Sequence, residues 1–441
     1  MTRLLIRNGT LLTFGDPCRV LEDHDLIIEG DRIARIAPAG THDGPFDEEL
    51  DGRGKVVLPG LINAHTHFYS AFARGIPGVA PGRHFTDVLR NLWWRLDRAL
   101  DLEAVHLSAR VGCLEAIRQG CTTVIDHHAS PRAVSGSLGA VAAAVKQSGL
   151  RACLCYEVSD RDWDIRAEGL AENVAFLRRC AAEQDPQLRA LFGLHASFTL
   201  SDETLERARA LALETGAGFH IHLAEAESDQ HDCLTRHGDR IVPRLVRHGI
   251  LGPQSIAAHA VHVFPPEMEQ LAQSGCTVVH NPQSNLNNAV GIADLAGLRA
   301  AGVAVALGTD GMTFRMLEEA RVALWAQHQR QGDAGAGWEA VTRSLAVENP
   351  QLASRLWGFP IGTLEEGAAA DVILIDYDPP TPMYTGNAVG HLLFGISQAT
   401  VDTTICAGKV LMQGRQLRLD LDEPALLAHA RASAAAVWAR F

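Results

Sequence analysis

Two histidines one residue apart, His65 and His67, close an apolar run that begins at Val56. On an extended segment, side chains two apart point the same way, so both imidazoles can face one cavity. Two neutral imidazoles side by side make a natural pair of metal ligands. Alone the pair is weak, because His-x-His occurs by chance at strand ends. Its weight comes from residues that recur downstream at the ends of similar apolar segments: Asp126, His127 and His128, then His195, His222 with Glu225, His259, His280 with Asn281, and Asp310. Any one of these, such as His259 between alanines, reads more simply as a hydrogen-bonded core residue. As a set at strand ends they read as a site. Three imidazoles and a carboxylate suit one divalent ion, Zn²⁺ or alternatively Fe²⁺, with a position left open for water. Such an ion makes water acidic enough to react near neutral pH. Glu225, just past His222, is placed for proton transfer beside the ion.

The elements that must position these residues alternate between strand and helix. Apolar strands are expected at residues 56–67, 121–128, 150–158, 188–197, 218–225, 255–261, 276–282 and 303–311. Segments with helical spacing lie between them, and several end in glycine just before the next strand, at Gly120, Gly149, Gly275 and Gly302. Eight such repeats over roughly 250 residues match a (β/α)₈ TIM-type barrel, an α/β fold whose active sites gather at the C-terminal ends of the strands. A doubly wound sheet would need a glycine-rich phosphate loop after the first strand, and the residues after His65 do not form one. Short strands also occur before residue 55 and again after 370. The economical arrangement is a small composite β-sandwich of residues 1–55 with 362–420, a barrel over 56–361, and a C-terminal helix over 421–441. His127 and His128 alternate faces, and His128 is expected to be the one that looks into the site. Trp93-Trp94 reads as helix packing, and Cys153 and Cys155 as barrel filler.

The 441 residues carry a net charge of −13 and a sequence pI near 5.8, which argues against nucleic acid or an anionic membrane as partner. Nine scattered cysteines without a disulfide framework read as buried thiols in a reducing compartment, the cytoplasm. No apolar run approaches the ~18 residues of a membrane span, and the N-terminus lacks a signal-peptide core. A homo-oligomer is compatible with the chain.

The chain resembles the amidohydrolase superfamily, in its cytosine-deaminase and chlorohydrolase-like branch. The resemblance covers nearly the whole chain. It rests on Pro59-Gly60-Leu61-Ile62-Asn63-Ala64-His65-Thr66-His67, on His222-Leu223-Ala224-Glu225, on Gly308-Thr309-Asp310 and on the segment from Gly362 to Asp371. Residues 91–99 and 126–131 are similar to the SsnA-type aminohydrolases associated with selenium metabolism. The resemblance implies metal ligation by His65, His67, His222 and Asp310. It further implies that His259 orients the reactive water, Glu225 shuttles protons and His195 contacts substrate, with the family's aromatic kept as Phe198. Relatives that deaminate 8-oxoguanine carry Gln where this chain has Ser70, which points away from that substrate. Two-metal relatives use a lysine on strand four. The three lysines here, Lys55, Lys146 and Lys409, all fall elsewhere, so one ion is expected.

The expectation is a metal-dependent aminohydrolase of a small cyclic amidine, nucleobase- or triazine-like. Glu225, His259 and Asp310 would be catalytic, and His195, His128 and Arg74 would touch substrate. Arg74 reads first as a structural ion-pair partner, with binding of an anionic group as the alternative. Hydrolytic dechlorination and cyclic-amide opening are the rivals within enzymes. A dead scaffold is the rival outside them and predicts missing ligands.

Overall fold

The computed structural model describes residues 2–41, 44–162 and 165–441. Its centre is a ring of parallel strands: Leu61–Thr66, Cys121–His128, Arg151–Tyr156, Leu188–Ala190 continued by Phe192–Ala196, Phe219–Leu223, Ile256–His259, Thr277–His280 and Ala304–Leu307. Each lies inside one of the expected stretches. The ring is two hydrogen-bonded arcs, one of four strands and one of five. One seam lies at Leu191, where the fourth strand breaks and Val158 bridges Leu194. At the other seam Thr66 bridges Asp310, and the Thr309 and Asp310 amides both donate to the His65 carbonyl, at 3.0 and 2.9 Å. Single bridges rather than continuous ladders therefore join the arcs of this (β/α)₈-type fold.

Helices cover the outside of the ring and stop where the sequence says they should. Ser137–Ser148 and Pro265–Ser274 end at Gly149 and Gly275, whose φ values of 80° and 71° are left-handed and suit glycine. The interior is filled by Ile62, Ile125, Cys153, Cys155, Ile256 and Val279. The two cysteines are filler, as expected.

The apolar run from Val56 is two strands, not one. Lys55–Pro59 pairs with Arg3–Leu12 and with Val372–Asp376, whereas Leu61–Thr66 pairs into the ring. Gly60 makes the break possible. A Cβ there would lie 2.1 Å from Thr122 Oγ1, so only glycine lets the chain pass this close to its neighbour. The two chain ends join through Lys55–Pro59 into one nine-stranded sheet. Arg32 bridges Ala369 across it. Leu4, Ile6, Leu26 and Ile28 then share one apolar cluster with Val372, Leu374 and Ile405. Both chain ends thus contribute to one composite sheet with an apolar cluster of its own.

The C-terminal helix Glu423–Arg440 packs beside helix Leu102–Arg118. Trp438 Nε1 donates to the Phe72 carbonyl at 2.8 Å, and Arg440 reaches the Ala99 carbonyl. This helix thereby braces the turns that roof the C-terminal mouth of the ring. Among the described residues no helix is long and apolar enough to cross a membrane.

Candidate active site

The strand ends converge as an arrangement of lone pairs. Nδ1 of His67 donates to the His127 carbonyl at 2.5 Å, and Nδ1 of His222 to the His195 carbonyl at 3.1 Å. A carbonyl only accepts, so Nδ1 carries the proton in each ring and Nε2 presents its lone pair inward. Those Nε2 atoms lie 3.4 Å apart. Nδ1 of His65 is occupied by Nε2 of His220 at 2.8 Å. Its own Nε2 is buried without a hydrogen-bond partner, 3.7 Å from Asp310 Oδ1. Asp310 Oδ1 also lies 3.0 Å from His67 Nε2. His65, His67, His222 and Asp310 each offer one ligand atom, and the four atoms lie within 4.8 Å of one another. Convergent nitrogens, one orphaned, around a carboxylate fit a divalent cation.

Electrostatics agree. Burial pushes His65 and His222 well below the ordinary imidazole value, so both stay neutral and able to ligate. Burial acts on His67 too, but the Asp310 carboxylate outweighs it and holds that imidazole up at about 9. Asp310 is correspondingly held well below the usual carboxylate range. Without a cation, a proton therefore sits on Nε2 of His67 against Asp310, at the place where a bound ion would take the lone pair.

Asp310 is fixed in place by Ser284 Oγ, which donates to Oδ2 at 2.5 Å, and by the Gly311 amide, which donates to Oδ1 at 2.8 Å. Its φ is 52°, and that of His259 is 79°. Left-handed backbone at non-glycine residues is costly and is held only where the surroundings over-determine it. Nε2 of His259 lies 3.5 Å from Glu225 Oε2 and 3.9 Å from Asp310 Oδ2, and Nδ1 lies 2.9 Å from the Asn285 amide nitrogen. Glu225 follows strand Phe219–Leu223, and Asp229 accepts from its backbone N–H at 3.1 Å. Burial, then the Asp310 and Asp229 charges, push the Glu225 carboxyl well above its ordinary value. Asn288 Nδ2 donates to its Oε1 at 3.2 Å.

His67, His222, Glu225 and Asp310 floor a cavity with about 550 Å³ of empty space, its open mouth included, which takes a small heterocycle. Its wall is aromatic, formed by Tyr69, Phe85, Trp93, Trp94 and Phe198. Trp93 and Trp94 therefore do more than pack helices. They roof the site from the turns between Phe85 and Ala99. His195 lines the cavity as expected, with Nδ1 2.6 Å from Thr199 Oγ1.

Two expected substrate contacts lie elsewhere. His128 turns away, its Nε2 2.9 Å from Ser130 Oγ and its ring near Tyr69 and Tyr156. His127 is the inward residue, with ring centroids 4.7 Å from both His220 and His222. The register explains it. His127 pairs with Cys155, an interior residue, so it shares that face. Arg74 follows the turn Phe68–Ala73 and makes a two-point ion pair with Glu115 on the outer helix, its side chain 62% exposed. It serves as a structural partner.

Other site residues escaped the sequence reading. His220 stands two before His222, repeating the spacing of His65 and His67, and that signal was available. Glu157 follows the third strand and lines the cavity. Nothing marks Asn288 in the sequence, since it caps the short helix Pro282–Asn287 after the seventh strand.

Comparison with known proteins decides the family. Residues 56–411 match the model of the amidohydrolase family. The chain belongs to that family. Among amidohydrolases it is 33% identical over 437 residues to the 5-methylthioadenosine/S-adenosylhomocysteine deaminase of Pelotomaculum thermopropionicum, covering 98% of each chain. It is 32% identical over 415 residues to the 5'-deoxyadenosine deaminase of Methanobrevibacter smithii, covering 92% of each. Among solved structures it superposes with a TM-score of 0.86 on a zinc-bound adenosine deaminase from Xanthomonas campestris, 27% identical and covering 99% of this chain and 98% of that one. The zinc-complexed atrazine chlorohydrolase of Arthrobacter aurescens, 24% identical and matched over 98% of this chain and 100% of its own, shares the fold with a TM-score of 0.83.

Proposed function

We propose that this amidohydrolase is a metal-dependent aminohydrolase that removes an amine from a small cyclic amidine. The carrying observation is the pairing of a four-ligand cluster with a buried Glu225 beside His259 at one cavity. His65, His67, His222 and Asp310 would hold one divalent ion, which we infer to be Zn²⁺ with Fe²⁺ as the alternative. When bound, that ion supplies the Lewis acidity that makes water a nucleophile at neutral pH. Glu225 holds a proton at Oε1 or Oε2 and delivers it to the ring nitrogen next to the carbon that loses its amine. His259 and Asp310 would orient the attacking water, whose proton passes by way of Glu225 to the departing amine, which leaves as ammonia. The aromatic wall stacks the ring and excludes bulk solvent. Relatives named as deaminases of adenosine derivatives support this reaction, and the complete ligand set supports an active enzyme over a dead scaffold.

The nine cysteines are free thiols, which supports the cytoplasm as the compartment. A free base or small heterocycle is favoured over nucleic acid, since no Lys or Arg lines the cavity among the described residues.

The test is ammonia release from aminated purines, pyrimidines and triazines by protein stripped with chelator and reloaded with Zn²⁺ or Fe²⁺. Activity should vanish on stripping and return on loading, with one metal equivalent per chain by elemental analysis. Two equivalents at the site, or metal-independent turnover, would contradict it.

A further inference from the structure

One buried carboxylate in the cavity has no part in that chemistry. Glu157 stands just past strand Arg151–Tyr156, its backbone N–H donating to the His128 carbonyl at 2.7 Å. It is 7% exposed and lines the cavity. Among the described residues no side chain donates a hydrogen bond to its carboxylate. Its nearest ring nitrogens are those of His127, with Nδ1 3.3 Å from Oε2, and His195, with Nε2 3.6 Å from Oε1, and one ring nitrogen each of His67 and His222 lies within 4.8 Å.

The tautomers of those neighbours are determined by their other contacts. Nε2 of His127 faces the carbonyls of Leu194 and His220, at 3.1 and 3.2 Å. Carbonyls only accept, so Nε2 carries the proton and Nδ1 is a lone pair. The Thr199 hydroxyl spends its proton on the Ala196 carbonyl at 3.1 Å. The proton in the 2.6 Å contact with His195 must then come from Nδ1, which leaves Nε2 of His195 as a lone pair. Nδ1 of His127 is buried without a hydrogen-bond partner, so it does not donate to Glu157. Glu157 therefore shares one corner with two acceptors, an arrangement that calls for N–H donors from a ligand.

Charge narrows the ligand further. The cavity wall also carries Asp97 and Asp229, and no Lys or Arg lines it among the described residues. Arg161 is paired with Asp97 and Asp162 and, with Arg90 and Arg236, lines an adjoining pocket rather than this one. A phosphate or carboxylate on the substrate would meet acceptors and negative charge.

We propose that Glu157, together with His195, reads a second N–H donor on the heterocycle, an exocyclic amine or lactam N–H other than the amine that leaves. The substrate class is then a ring with at least two donor groups and no anionic substituent. This rests on the aminohydrolase reading for its site and deepens it. A site built to satisfy such donors discriminates strongly against a ring that lacks one, because its acceptors are then left unpaired.

The test separates recognition from turnover. In a metal-replete Glu225→Gln background, binding of 2,6-diaminopurine and of adenine, which differ by one amino group, is measured by titration calorimetry. Glu225→Gln should prefer 2,6-diaminopurine by about tenfold or more. Adding Glu157→Gln should bring the ratio close to unity with metal content unchanged, and adding Glu157→Asp, which keeps the carboxylate, should retain part of the preference. An equal ratio with and without Glu157→Gln overturns the proposal, as does binding of neither ring at millimolar concentration. Ammonia release by the wild type is followed separately. If it is absent while the binding ratio shifts as expected, the aminohydrolase reading fails and the role of Glu157 stands.

Discussion

Nδ1 of His65 lies 2.8 Å from Nε2 of His220, inside the ring and out of reach of solvent. This contact fixes the orientation of an imidazole whose other nitrogen faces Asp310. Partners of this kind typically account for 10–100-fold in metal affinity. His220→Ala should weaken Zn²⁺ binding by about that factor, read by competition with a chromogenic chelator, while the circular dichroism spectrum stays native. Unchanged affinity would remove His220 from the site.

Ligand and proton carrier should separate by mutation. His222→Ala should lose metal and activity together, because it deletes a converging lone pair. Glu225→Gln should keep metal and fold but lose about 10²–10⁴-fold in kcat, the usual contribution of a positioned acid or base. Metal content by mass spectrometry decides it. Loss of metal from Glu225→Gln would make Glu225 a ligand.

Glu319 makes stability depend on pH. It is fully buried on helix Met316–Gln331, with Oε1 accepting from the Gln283 amide at 2.9 Å. Burial, opposed by that hydrogen bond and reinforced by the Asp310 charge, pushes its carboxyl up to about 8 from an ordinary 4.5. Between those values the folded chain keeps a proton that the unfolded chain has lost, so stability falls as pH rises and levels off above about 8. Glu319→Gln removes this titration. Its Tm should drop less than that of the wild type between about pH 5 and about pH 8, and an equal drop in both would contradict the assignment.

The terminal sheet and the ring are tied by a fully buried ion pair. Arg151 Nε lies 3.0 Å from Asp371 Oδ2, and the Ala407 amide donates to Asp371 Oδ1 at 2.7 Å. Arg151→Ala strands a buried carboxylate, which costs about 3–5 kcal/mol. Urea denaturation should show that loss, and an Arg151→Met/Asp371→Leu double variant should recover much of it. A loss under about 1 kcal/mol, the usual worth of an exposed pair, would contradict the tie.

The sequence was most legible where one residue's chemistry could be read against a simple period. Strand ends stood out because apolar runs close on His, Asp or Glu, so His65, His67, His222, Glu225, His259 and Asp310 could be placed before any coordinates. Parity was harder. His127 and His128 differ only in face, and the face is set by pairing with Cys155, which a single chain does not reveal. The break at Gly60 was hidden because both strands it separates are apolar. Glu157 was hidden because a lone acid after a strand looks like any solvated residue. What makes it notable is the two acceptors it meets there, His127 and His195, and those come from separate strands. Arg74 misled for the opposite reason. Its charge suggested a ligand, and Glu115 on the next helix already satisfies it.

The central claim is that water replaces an amine on a ring held between the ligand cluster and Glu225. The most direct measurement is mass spectrometry of the product formed by Zn²⁺-loaded protein from an aminopurine in ¹⁸O-enriched water, with ammonia counted in parallel. The account predicts one heavy oxygen in the product, at the carbon that bore the amine, and one ammonia released per product. Heavy oxygen with the amine retained, through chloride loss or ring opening on the matching substrates, or no product across the aminated panel from metal-replete protein, would contradict it.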